Sequence, residues 1–317
     1  MNHRKKEFFA YVIPSVLAFA LSCVYTIVDG FFIGQSLGDM GLAAITLGYP
    51  ISALVGAVGT GIGLSGAIRY TILNAQAGKE KTQACFSRTT LLMFLAGALL
   101  TALLYGFAEP ILHFLGARGE VLRLSTEYAR IIALGAVFQL LATGFVPFIR
   151  NMDGASFAMA AMILGFVTNI LLGYTLVWVV NWGMAGAALV MIIGQAVTMV
   201  ASILFFPVKK CPLSLPGRKD LWALWKNVLR VALSPLGLTF SPTITILLMN
   251  RFLLLYGNEQ SVAVYGCIGY ITSIIYLLPP FFKLVNVWLA VPLAQAATFV
   301  ISVIAARITA IREAWIS

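Results

Sequence analysis

Residues Ile27-Val28-Asp29-Gly30-Phe31-Phe32-Ile33-Gly34-Gln35-Ser36-Leu37-Gly38-Asp39-Met40-Gly41-Leu42-Ala43-Ala44-Ile45-Thr46-Leu47-Gly48-Tyr49-Pro50 join two apolar runs through a short polar turn, Gln35 to Asp39. Read outward, the first run reaches back to about residue 11 and the second forward to about residue 72. Each is long enough for a membrane helix, which needs about 20 mostly apolar residues to cross hydrocarbon. Runs of that kind recur at roughly 89 to 108, 128 to 149, 155 to 180, 184 to 207, 229 to 255, 262 to 282 and 284 to 306. In hydrocarbon every backbone polar group must be satisfied within the protein, which leaves helices or closed barrels. These runs are long and continuous where barrel strands are short and alternating. The sequence therefore predicts an all-α polytopic membrane protein with about nine transmembrane helices.

Composition agrees. Of 317 residues 61% are hydrophobic and 10% charged, and the mean hydropathy is +0.96, values that require lipid as the solvent. The first run is too long, and with Asp29 too polar late in its course, for a cleavable signal peptide. The net charge of +10 is segregated by side rather than gathered into a nucleic-acid patch. With a cytoplasmic N-terminus, the inside segments hold Arg4, Lys5, Lys6, Arg69, Lys79, Lys81, Arg88, Arg150, Lys209, Lys210, Arg218, Lys219, Lys226 and Arg230. The outside segments hold Arg118, Arg123, Arg130 and Arg251. Cys23, Cys85, Cys211 and Cys267 are far apart and form no C-x-x-C pair, so neither a metal site nor a disulfide framework is expected.

An internal repeat organises the chain. At an offset of 221, Pro14 meets Pro235, Asp29 meets Asn250, Phe31 meets Phe252, and Gly48-Tyr49 meets Gly269-Tyr270. At an offset of 100, Leu189, Gln195, Ala196, Thr198 and Ser202 meet Leu289, Gln295, Ala296, Thr298 and Ser302. The expected organisation is a six-helix first lobe over 1–208, a cytoplasmic linker over 209–228, and an incomplete second lobe over 229–317. The linker holds an amphipathic interfacial helix around Trp222 and Trp225. The second lobe keeps copies of the first, second and sixth helices and lacks three. Counting spans sends the last helix outward although the helix it copies runs inward, and Arg307 and Arg312 would then lie outside, against the charge rule.

A charge in the middle of a membrane segment costs roughly 2.5 to 3.5 kcal/mol on insertion scales, so one that persists is a functional candidate. Asp29 is that candidate, able to exchange a proton or to hold Na⁺. The competing reading places it near the outer interface, merely solvated. Asn169 and Gln195 are neutral groups that bond across helices as readily as they bind ligands. With Tyr25, in the same run as Asp29, and Asn250, its counterpart in the repeat, they are its expected partners.

Several patterns carry no chemistry. Gly61-Ile62-Gly63-Leu64-Ser65-Gly66 matches a dinucleotide fingerprint, but that motif works only at a strand-to-helix turn. Inside an apolar helix it predicts close helix packing. Ser65 as a protease nucleophile needs a facing histidine, and only His3 and His113 exist. No H-E-x-x-H pair or Walker loop is present. The chain is not expected to be an enzyme, and no cofactor is expected.

With these residues in view, the chain resembles the bacterial MATE multidrug and toxic compound extrusion transporters. The likeness is carried by Ile27 to Pro50, Thr168-Asn169, Gly183 to Leu189 with Gln195, Ala263 to Tyr270, and Val287 to Gln295. The resemblance implies two six-helix lobes related by an axis along the membrane normal. It also implies antiport of cationic amphipathic drugs against H⁺ or Na⁺ across a bacterial inner or plasma membrane. Asp29 stands at the family's first-helix coupling carboxylate and Asn169 at its fifth-helix cation-site asparagine, so Na⁺ at Asp29 and Asn169 is an implied option. Two positions depart from the pattern: Gly173 where an acid is usual and Met191 where a threonine is common, which favours H⁺. The alternatives are a lipid-precursor flippase of the same superfamily, which calls for basic residues within the cavity, and a non-transporting membrane remnant that dimerises. A homodimer is one expected way to complete the second lobe.

Overall fold

The computed structural model describes residues 3–76, 78–209, 211 and 221–277. Its elements run in the order α1 (His3–Gln76), α2 (Gly78–Phe114), α3 (Gly119–Leu134), α4 (Ala136–Asn151), α5 (Ala155–Leu172), a π-helical segment (Gly173–Val179), α6 (Gly183–Val208), α7 (Leu221–Tyr256) and α8 (Glu259–Leu277). All are helical, as the apolar runs require. Among the described residues five helices are long and apolar enough to cross a membrane, or six when the bent pair α3 and α4 counts as one span. The span expected at 284–306, the end of the one at 262–282, Arg307 and Arg312 lie outside the described residues.

α1 contains both runs that flank the decisive turn. Its part from Val24 to Gln76 has 53 residues, roughly 80 Å of helix, which is enough for two crossings of a core about 30 Å thick. The helix breaks at Gly38, whose φ of 61° and ψ of −155° lie outside helical geometry. Only glycine adopts that conformation without strain. The expected turn of five residues is thus one hinge residue. Ser36 secures it by donating its hydroxyl to the Val177 carbonyl at 3.0 Å.

The fourth run reads in sequence as one straight helix over 128 to 149. Instead α3 and α4 meet at Gly135 with a bend of 58°. The reason is lateral packing: a Cβ at Gly135 would collide with the Ile192 side chain of α6. The bent pair folds around that branched side chain.

The glycines of the discounted fingerprint are contact surface. A Cβ at Gly59 would meet Thr143 and Leu140, one at Gly63 would meet the backbone of Gly144, and one at Gly66 would meet Thr89 and Phe148. On another face of the same helix, a Cβ at Gly61 would lie 3.0 Å from the Ala232 carbonyl oxygen of α7. Small residues let helices approach this closely, and in lipid that approach supplies dispersion energy where no hydrophobic force acts between helices. Below the crossing, Phe86 packs on Phe206 at 4.5 Å and on Phe148 at 5.2 Å, and Phe145 on Phe206 at 5.1 Å, joining α2, α4 and α6. Gln139 donates to the carbonyl and the hydroxyl of Ser52 at 3.0 and 3.1 Å, a buried polar tie between α4 and α1.

α7 runs unbroken from Leu221 to Tyr256, with Pro235 and Pro242 inside it. The stretch around Trp222 and Trp225 is therefore the first turns of this helix rather than a separate interfacial one. Trp225 donates its indole N–H to the Arg88 carbonyl at 3.0 Å. Farther along, Arg251 lies over the Phe114 ring at 4.8 Å. α8 adds the buried Val262 and Ala263, and Gly266 abuts Thr46 of α1. Cys85 and Cys211 are buried free thiols and Cys267 is an exposed one.

The crossing at Gly63 gives a direct test. Gly63→Ala forces α1 and α4 apart and lowers stability by ~1–3 kcal/mol, the usual cost of overpacking. Gly106→Ala, at a helical position with nothing within 4 Å of the added carbon, loses none. Thermal unfolding of the two purified variants in one detergent measures the difference.

Candidate functional site

A cavity of about 300 Å³ lies among α1, α4, α5 and α6. Its wall comes from four elements: Tyr25 and Thr60 of α1, Thr143, Val146, Pro147 and Arg150 of α4, Met162, Gly165, Phe166 and Asn169 of α5, and Met191, Gly194, Gln195 and Thr198 of α6. The α5 and α6 sides meet through glycine. A Cβ at Gly165 would lie 2.8 Å from the Gly194 carbonyl oxygen, and one at Gly194 would lie 3.4 Å from Asn169 Cβ. This close crossing leaves Asn169, Gln195 and Thr198 on the same wall.

One side of the cavity is aromatic. Tyr25 and Phe166 stack with ring centroids 4.8 Å apart and planes 9° from parallel. Met162 and Met191 flank them, and thioethers adapt to apolar ligands of varied shape. The other side is polar and neutral apart from Arg150. Thr143 and Thr198 satisfy their hydroxyls on the carbonyls of Gln139 and Gly194, at 2.9 and 3.1 Å. Asn169, Gln195, Thr60 and Arg150 have side chains that make no hydrogen bond among the described residues. They leave donors and acceptors for a ligand.

The residues expected from sequence fall into three places. Tyr25, Asn169 and Gln195 line the cavity together. Asp29 lies four residues beyond Tyr25 on α1, hence one helical turn away, and is half-buried. Among the described residues it is not part of the cavity wall. Asn250 is elsewhere: it is 1% exposed and donates its amide to the Thr46 carbonyl at 3.1 Å, joining α7 to α1. The residue that the repeat pairs with Asp29 thus does not line this cavity.

The two departures from the family pattern acquire physical content. A Cβ at Gly173 would stand 3.1 Å from the Phe32 ring, so Phe32 fills the volume that an acid would need. Phe32 is held in turn by Trp178, edge-on at 5.6 Å. Met191 receives the Tyr128 hydroxyl at 3.3 Å. No group of three or more His, Cys, Asp or Glu side chains suited to a metal ion occurs among the described residues.

Sequence reasoning placed Arg150 only by its side of the membrane and passed over Thr60, Thr143 and Thr198. A signal existed on α4: Thr143, Val146, Pro147 and Arg150 follow the i, i+3, i+4, i+7 spacing of one helix face. A second depression, of about 550 Å³, lies between α2 and α3 beside Glu109, Arg123, Glu127 and Arg130. Its charges are answered by their neighbours, Arg123 by Glu120 at 2.6 Å and by Glu127 at 3.5 Å, and Arg130 by Glu109 at 3.2 Å. It is an exposed, self-compensated surface, and the cavity inside the helices is the better candidate site.

Comparison with known proteins agrees with the fold. The sequence profile of the MatE family matches residues 14–175. The multidrug export protein MepA of Staphylococcus saprophyticus is 28% identical over 259 residues, which cover 81% of this chain and 57% of that protein. MepA of Staphylococcus aureus is 27% identical over 271 residues, covering 82% of this chain and 58% of that one. The ligand-bound structure of the MATE multidrug transporter DinF-BH superposes with a TM-score of 0.75 at 25% identity, over 84% of this chain and 60% of the other. An inward-facing MATE transporter of the MOP superfamily has the same fold, with a TM-score of 0.70 at 24% identity over 84% of this chain and 65% of that one. The chain thus spans under three fifths of the length of these curated relatives.

The occupancy of the Gly173 position is testable in the full chain. Gly173→Asp drives a carboxylate against Phe32 and lowers thermal stability by ~1–3 kcal/mol. Phe32→Gly costs stability by itself but makes room for the acid, so the double variant is more stable than the sum of the two losses. A double-mutant cycle of melting curves measures that coupling.

Proposed function

The chain belongs to the MatE family of multi-pass membrane transporters, and on the cavity within its first six helices we propose that it takes part in secondary active export of cationic amphipathic compounds in exchange for H⁺. The observation that carries this reading is the stacked Tyr25–Phe166 pair one helical turn from Asp29. A flat apolar cation finds an aromatic face and two methionines there. The carboxylate that exchanges the ion is close enough for protonation and ligand binding to affect one another.

Asp29 is the exchanging group in this reading, with Asn169, Gln195 and Tyr25 as its neighbours on the cavity side. Na⁺ is the less favoured coupling ion, because Phe32 occupies the space beside Gly173 from which a further carboxylate would complete a cation cage. Asn250 acts structurally, tying α7 to α1. The organisation that goes with this reading is a first lobe over 1–208, a connection over 209–228 and an incomplete second lobe over 229–317. The chain sits in a bacterial plasma membrane with its N-terminus inside, the orientation the segregation of Lys and Arg favours. Alternating access needs a second body to move against the first, and a second copy of the chain is one source of it.

A second reading is a membrane protein that binds ligands in this cavity without carrying them across. Flux separates the two. Wild-type chain in a pump-deficient bacterial strain extrudes a fluorescent cationic dye, and an imposed inward proton gradient accelerates extrusion. Asp29→Asn at matched membrane abundance reduces the rate to that of cells without the protein. Equal extrusion by wild type and Asp29→Asn overturns the role of Asp29. Absence of extrusion from a well-inserted wild type leaves the non-transporting reading.

A further inference from the structure

The wall of the cavity carries one charge that no described residue answers. Among the described residues lining it, Arg150 is the sole ionic side chain, and no carboxylate accompanies it. Arg150 is half-buried in the last turn of α4, and it has neither an ion pair nor a side-chain hydrogen bond among the described residues. Asp153 follows three residues later in the turn after α4. It is exposed, and its backbone N–H bonds the Arg150 carbonyl at 3.2 Å. Asp29 lies a turn beyond Tyr25 and is not part of the lining.

An arginine held partly out of water without a partner among its described neighbours is costly, and an incoming anion relieves that cost. The guanidinium presents a planar fork of donors that matches a carboxylate or phosphate in two parallel hydrogen bonds. The same cavity wall carries the further donors Thr60, Gln195 and Asn169, each without a side-chain hydrogen bond among the described residues. The apolar Val146 lies one helical turn from Arg150 on α4, and Met162 and Phe166 of α5 line the same cavity. The polar and apolar parts of one wall thus fit the two ends of an amphiphile. At about 300 Å³ the cavity is at the lower end of the range that encloses small-molecule ligands.

We propose that Arg150 makes one end of this cavity a subsite for an anionic headgroup, a phosphate or carboxylate, on an amphiphile whose apolar body lies against Phe166, Met162 and Val146. This deepens the export reading, because it rests on the same cavity being the ligand site. It also widens the ligand class from cations to zwitterions and anions.

The test is equilibrium binding to the full-length chain purified in neutral detergent, by fluorescence anisotropy. The probes are a fluorescent alkyl phosphate and a fluorescent cationic dye. Arg150→Gln weakens the alkyl phosphate by roughly tenfold or more, the scale of a hydrogen bond to a charged group, and this loss exceeds any loss of affinity for the cationic dye. Arg150→Lys, which keeps the charge but not the fork, falls between. The melting curves of both variants confirm that they are folded. Competition identifies the natural source: displacement by millimolar inorganic phosphate assigns a soluble phosphate, and displacement only by phosphatidylglycerol added to the micelles assigns a lipid headgroup. Either upholds the subsite.

Alkyl phosphate binding that is unaltered in Arg150→Gln, or absent from the wild type, overturns the proposal. If the wild type binds the alkyl phosphate and not the dye, the subsite stands and the cation-export reading fails. Binding of the dye alone has the reverse meaning.

Discussion

Everything in the first six helices depends on how closely the second half of α1 approaches α4. Gly63 faces the backbone of Gly144, Gly59 faces Leu140 and Thr143, and Gly66 faces Thr89 and Phe148. In lipid the tails compete with side chains for every apolar contact, so helices associate where their backbones can come near enough for dispersion to exceed what lipid offers. Here that requirement fixes the register of one helix against another. With Gly63 set on Gly144, Thr60 and the Thr143–Arg150 face of α4 come to the same cavity.

A second glycine crossing, Gly165 on Gly194, sets the opposite wall. Between the two crossings the helices cannot close completely, because Tyr25, Phe166, Met162 and Met191 project into the gap. Rigid backbone contacts above bulky side chains are how a helix bundle keeps a cavity at all, since packed interiors otherwise leave few voids larger than a water molecule. The Ser52–Gln139 bond and the Tyr128–Met191 contact add specific ties near the same level. The bend at Gly135 serves the same layout: it lets α3 and α4 follow α6 around Ile192.

The electrostatic character follows from this layout. The charges between α2 and α3 pair with one another near solvent, where such pairs contribute little. Arg150 and Asp29 are different, because each is half-buried and neither forms an ion pair among the described residues. They occupy different parts of the helix bundle, with Arg150 on the cavity wall and Asp29 one turn past Tyr25. A cavity with Arg150 on its wall and Asp29 one turn past its edge can discriminate ligands by where their charge sits relative to their apolar body. A purely apolar cavity lacks that ability.

Much of this was legible in the sequence. The helical class, the runs that became α1, α2 and α5 to α8, and the packing use of Gly61 to Gly66 follow from local rules: hydropathy over a window of about 20 residues, the need to satisfy backbone groups in lipid, and the small volume of glycine. Asp29, Asn169, Gln195 and Tyr25 stood out because polar groups are rare in such runs. The tertiary structure decided the rest, because each remaining point concerns what lies across from a residue rather than beside it. The bend at Gly135 comes from Ile192, 57 residues along the chain, and Phe32 fills the space at Gly173. Asn250 matches Asp29 in the repeat but bonds Thr46, since the helix that carries it packs on α1. Arg150 read from sequence as a marker of membrane side; only the convergence of α1, α4, α5 and α6 turns it into a charge on a cavity wall.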